Sequence, residues 1–118
     1  MERVEAVMSR PFEWGGCDCV SAACDVFRDL HGVDPLAPWR GRYRTKAQAW
    51  RLVTALGGPV AAAGDLARRA GLSEGAAVGA LGVAGKSFVI CVAPGWWAGK
   101  SKSGFALVRA VEGAWHLA

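Results

Sequence analysis

The chain changes its grain at Gly71. Before that residue apolar side chains recur at helical spacing, and after it they fall into short runs parted by glycine, which is the texture of strands. A sequence divided this way folds as helices followed by a sheet, an α+β layout with N-terminal helices packed on a C-terminal antiparallel sheet. Val4, Val7 and Met8 set a short helix over residues 2–8, closed by Pro11. Over residues 19–30, Val20, Ala23, Cys24, Phe27 and Leu30 follow the i, i+3, i+4, i+7 rule, with Asp18 in the N-cap position and Gly32 just past the end. Residues 32–43 form an ordered or partner-bound loop carrying Asp34-Pro35 and Pro38. Thr45 caps a helix through Leu56, Gly57-Gly58-Pro59 stops it, and a further helical segment covers about residues 60–70. Beyond Gly71, residues 76–83, 87–92, 104–111 and 114–117 read as strands. Pro94-Gly95 and Glu112-Gly113 read as turns, and links this short favour antiparallel hairpins.

The 118 residues make one domain, and 53% hydrophobic against 20% charged residues excludes a solvated tail. The longest uncharged stretches, 53–64, 75–85 and 87–99, fall short of the ~18 apolar residues of a membrane span and are broken by glycine or proline. The first ten residues lack the apolar run of a secretory signal, so the four cysteines are expected as free thiols in a reducing cytoplasm. A net charge of +4 favours an anionic partner: nucleic acid, a cell-wall polymer or an acidic protein face.

The segment Pro11-Phe12-Glu13-Trp14-Gly15-Gly16-Cys17-Asp18-Cys19-Val20-Ser21 carries the chemistry. It sets a cysteine at the first turn of an amphipathic helix, where unpaired N–H groups and the helix dipole stabilise a thiolate and cradle an oxyanion. The glycines before it permit close backbone approach to a substrate. This segment resembles the NlpC/P60 cysteine-peptidase pattern, a P-Y-x-W-G-G loop followed by D-C-S-G at the start of the catalytic helix. More narrowly it is similar to small phage and prophage tail-encoded members of that superfamily, through Gly32-Val33-Asp34-Pro35 and Arg40-Gly41-Arg42-Tyr43-Arg44-Thr45. The match covers most of residues 9–58. It implies a papain-like fold, with Cys19 at the nucleophile position, Asp18 touching the substrate's amino end, and Trp14, Gly15 and Gly16 lining the binding loop.

The rest of the family's catalytic set is missing. The general base of relatives is a histidine near the start of a central strand, and the best local match, Ser87-Phe88-Val89-Ile90-Cys91, offers Ser87 or Phe88 there. Neither abstracts a thiol proton. The family's loop tyrosine is Phe12. Of the two histidines, His31 lies about 18 Å along the helix from Cys19 at 1.5 Å per residue. His116 reaches Cys19 only if the last strand lies beside that helix start, and is otherwise an edge-strand polar residue. The bland reading of Cys19 is a small buried apolar residue, as Cys24 and Cys91 are expected to be. A zinc site on Cys17 and Cys19 lacks a second cysteine or histidine pair, so no metal and no cofactor is expected.

Arg40, Arg42, Arg44, Lys46 and Arg51 alternate with Trp39, Tyr43 and Trp50, and Trp96-Trp97 sit in a hairpin loop before Lys100 and Lys102. Such stretches are solvated faces over a tryptophan-lined core, partner contacts, or single-stranded nucleic-acid sites. We take Arg40, Arg42, Tyr43, Arg44, Trp96 and Trp97 as a partner interface, with one of the adjacent tryptophans exposed, and expect no nucleic acid. Three functions compete. The first is a phage tail-tip structural protein with a decayed catalytic site, assembled in the bacterial cytoplasm and carried in the virion against tail hub or tip proteins. The second is a working peptidoglycan endopeptidase using Cys19 with His116 or a base from a neighbouring subunit. The third is a small nucleic-acid-binding module.

Overall fold

The computed structural model describes residues 1–117. Four helices, α1 Glu2–Met8, α2 Ser21–His31, α3 Lys46–Ala55 and α4 Pro59–Arg69, precede six strands, with a 3-10 turn at Ala37–Trp39. The strands are β1 Ser73–Glu74, β2 Leu81–Ala84, β3 Ser87–Ala93, β4 Trp96–Ser101, β5 Gly104–Val108 and β6 Gly113–His116. They form one antiparallel sheet in the order β1-β6-β2-β3-β4-β5. The fold is therefore α+β. Among the described residues no helix is long and apolar enough to cross a membrane.

Strand alternation divides the core. Leu81 and Val83 of β2, Phe88 and Ile90 of β3, Ala98 of β4 and Trp115 of β6 join the helices in the main cluster. There α2 packs on β3 and β4, α4 packs on β2 and β6, and α1 is held against α2. Val89, Cys91, Trp97 and Ala114 point the other way into a smaller cluster. Trp97 lies flat enough over β2 that a Cβ on Gly82 would sit 2.7 Å from its ring, so only glycine fits beneath it. Buried Lys100 ties α1 to the sheet, donating from Nζ to Met8 O at 2.7 Å and to Gly104 O at 3.2 Å, cation against helix C-terminus.

Two expectations for the glycine-rich half need correction. The strand expected over 76–83 starts only at Leu81, because the chain turns just before it, with Ala80 N–H closing onto Ala77 O at 2.9 Å. Trp96 and Trp97 do not lie in a hairpin loop; they open β4, an interior strand paired on both sides. Its polar and glycine residues hide it from a hydrophobic reading, yet Gly99 is there because Val89 packs 3.0 Å from where its Cβ would be.

Candidate functional site

The loop between α1 and α2 is built around one carboxylate. Asp18 Oδ1 accepts the Val20 and Ser21 N–H groups at 2.8 Å each, and Ser21 Oγ accepts Asp18 N–H at 3.0 Å. This is a reciprocal capping box with serine in place of the usual glutamate. Ala22 N–H already donates to Asp18 O, so the helical hydrogen-bond pattern begins with Cys19 in its first turn although α2 proper starts at Ser21. Asp18 Oδ2 accepts Gly15 N–H at 2.8 Å and the Tyr43 hydroxyl at 2.9 Å. Gly15 itself has φ +86, and a Cβ there would lie 2.5 Å from Tyr43 O. Asp18 is 0% exposed with both oxygens engaged, so the substrate contact implied for it is corrected: its carboxylate orders the loop and cannot meet a ligand.

Upstream, the chain folds back on itself, with Glu13 N–H donating to Cys17 O at 2.9 Å and Cys17 N–H to Glu13 O at 2.8 Å. The bend presents Trp14, Gly15 and Gly16 outward, and Phe12 packs edge-on against Trp14 at 5.1 Å between ring centres. Cys17 and Cys19 then diverge. The Cys17 thiol is buried, 3.5 Å from Val7 O, whereas Cys19 is half-buried and lines a cleft. Among the described residues no three His, Cys, Asp or Glu side chains are grouped to hold a metal ion.

The cleft, about 260 Å³, lies between this loop, α3 and the β2–β3 turn. Cys19, Trp14, Val20 and Trp50 form its walls and Lys46 and Lys86 its cationic rim. Lys86 Nζ stands 5.3 Å above the Trp50 ring. The start of β3 is fastened to the cysteine backbone, Phe88 N–H and Ser87 Oγ both donating to Cys19 O, at 2.9 and 3.2 Å. The Phe88 ring goes into the core. Gly15 and Gly16 border a separate depression with Tyr43 and Arg44, and Trp14 is the residue of that loop common to both.

Neither histidine is at Cys19. His31 ends α2 with Nε2 2.9 Å from Gly79 O. His116 follows Trp115, which is level with Leu81 and, through it, with Ile90, three residues up β3 from Ser87. At ~3.3 Å per residue and two strand spacings of ~4.8 Å, His116 is roughly 15 Å from the Ser87 end of the sheet. His116 is therefore corrected as a catalytic candidate: it sits at the far end of its strand, beside β1.

The helix start does not make Cys19 a thiolate, contrary to expectation. Burial, with the neighbouring Asp18 charge adding to it, pushes the thiol up to about 11, against weaker opposing effects of its own N–H and Lys46. At pH 7 roughly one molecule in ten thousand carries the thiolate. Alkylation of native protein by iodoacetamide at Cys19 should therefore run at least about a hundredfold slower than free cysteine at pH 7 and climb steadily as pH rises toward 11. Mass-spectrometric mapping of labelled Cys19 across that range checks it; rapid labelling at neutral pH would contradict the geometry.

The expected interface divides. Arg42, Arg44 and Trp96 are exposed. Arg40 is not free: its guanidinium lies 2.6 Å from Asp25 Oδ1 and forks onto both Asp34 oxygens at 3.1 Å. Burial opposes its charge, but Asp34 and Asp25 together hold it above its ordinary value. Tyr43 is buried on Asp18, and burial followed by that carboxylate raises its phenol. Trp97 is buried on the sheet. All three are corrected from partner contacts to internal supports. Sequence reasoning missed the Asp25 cluster with Arg10, Arg28 and Arg40, and it missed the cleft's two lysines as a pair. The i,i+3 spacing of Asp25 and Arg28 on α2 is a local signal that points to the first.

A family model described as a domain of unknown function (DUF6950) matches residues 1–117. No curated protein and no solved structure matches the chain.

Proposed function

We propose that this chain, which belongs to the DUF6950 family, is a tail-tip-associated structural protein of a phage or phage-derived particle, with an NlpC/P60-like domain whose hydrolytic site has become a binding cleft. The observation that carries this reading is the pairing of Cys19 with Ser87. A cysteine opens the helix as in the peptidases it resembles, and the start of the adjoining strand meets it with a hydroxyl already bonded to Cys19 O where those enzymes need an imidazole. A thiol that burial pushes up to about 11, with neither histidine beside it, stays protonated at neutral pH and does not attack an amide there. The loop, the cap and the cleft nonetheless persist around it, which favours retention for binding. The partners we propose are tail hub or tip subunits, met by exposed Trp96, Arg42 and Arg44, with assembly in the bacterial cytoplasm and residence in the virion.

Two measurements test this. Purified protein incubated with peptidoglycan sacculi is expected to release no stem peptides, and Cys19→Ala is expected to behave identically; turnover lost in Cys19→Ala would restore the endopeptidase. Particles assembled from the accompanying tail genes are expected to contain the chain, detected by mass spectrometry of purified virions. Virions free of it that remain infectious would remove the structural role.

A further inference from the structure

We infer that the Cys19 cleft receives one apolar side chain of a partner polypeptide whose flanking residues are acidic, a proposal that rests on the binding-cleft reading above and names its ligand. At about 260 Å³ the cleft is smaller than the ~300–1,000 Å³ typical of small-molecule and cofactor sites, and it matches a single large side chain used as an anchor. Its walls supply the apolar part: Trp14, Val20, Val53 and the exposed face of Trp50, which is 36% exposed.

The rim supplies the charge. Lys46 and Lys86 both border the cleft, and among the described residues no carboxylate lines it and neither lysine takes part in an ion pair. Trp50 also borders a second, shallower depression that includes Arg51 and again no acidic residue. The other sizeable hollows differ: the one beside His31 includes Glu2, and the one beside Gly15 includes Glu13. An exposed indole ringed by three cations of one sign is complementary to a hydrophobic residue set between glutamates or aspartates. A single-stranded nucleic acid fits less well. It needs a basic track along several phosphates, and Arg40, which would extend this one, is committed to Asp25 and Asp34.

The test uses two blocked pentapeptides, a central leucine flanked by glutamates and the same with lysines, plus an octathymidylate, each titrated into 15N-labelled full-length protein at moderate salt. Titrations are repeated in Cys19→Ser, so that cleavage by wild type, which would refute the inactive-site reading, leaves the binding measurement intact. The glutamate peptide is expected to shift the Trp14 and Trp50 indole signals and to weaken at least about tenfold in the exposed-residue variant K46E/K86E. That variant is expected to gain affinity for the lysine peptide. Equal binding of both peptides to wild type, indifference to K46E/K86E, shifts confined to other tryptophans, no shift at millimolar glutamate peptide, or tighter binding of the oligonucleotide at the same indoles would each overturn the inference.

Discussion

Asp18→Ala is expected to cost about 3 kcal/mol or more of folding stability. The carboxylate is fully buried and satisfies three backbone N–H groups and one phenol. Removing it strands all four donors, each of which forfeits a charge-assisted bond worth ~1.5–3 kcal/mol or is left unsatisfied in the interior. Water entering the loop recovers part of that, so the net cost stays below the sum of four bonds. Tyr43→Phe removes one donor and should cost about 1–2 kcal/mol. Urea unfolding with an unchanged m-value reads both. An alanine variant no less stable than the phenylalanine one would show that Asp18 does not organise the loop. The raised phenol pKa gives an independent check, because Tyr43 is the only tyrosine in the chain. Its folded-state value lies above the unfolded one, so its contribution is fully present below about pH 10 and is lost as pH rises further toward the folded value. Tyrosinate absorbance should therefore appear with unfolding at high pH rather than in the native protein.

The two adjacent tryptophans should behave oppositely. Trp97 is 4% exposed and covers Gly82 and Val89, so Trp97→Ser empties the smaller cluster and should cost about 3–5 kcal/mol. Trp96 is 39% exposed, with the Arg109 guanidinium 4.3 Å over its ring, and Trp96→Ser should cost at most about 1 kcal/mol. If Trp96 meets a tail partner, its loss should lower incorporation into particles at near-normal stability. Changing both together would confuse unfolding with loss of contact. A Trp97→Ser protein that melts with wild type would mean that the smaller cluster contributes nothing to the fold.

Much of the α+β division was legible because its signals are local. Apolar spacing placed α1, α2, α3 and α4 to within two residues, and Asp18 before Cys19 announced the start of α2, since a cap acts on N–H groups two and three residues ahead. The strand reading was poorer. β4 carries Gly99, Lys100 and Ser101 in its pairing positions, and short strands take their stability from neighbours that a sequence window does not contain.

What the sequence by itself determined, then, was where a cysteine meets a helix start, and that neither of the two histidines lies near it in the chain. The tertiary structure decided everything that depends on residues far apart in the chain. Alternation required Trp96 and Trp97 to face opposite ways, but only the approach of Gly82 and Val89 chose Trp97 as the buried one. Arg40 and Tyr43 read as surface residues until Asp25 and Asp18, 15 and 25 positions away, claimed them. The Cys19 thiol read as activated because a helix dipole is a local property. Burial under Trp14, α3 and the β2–β3 turn is not local, and the desolvation it imposes outweighs the dipole and keeps the proton on sulfur.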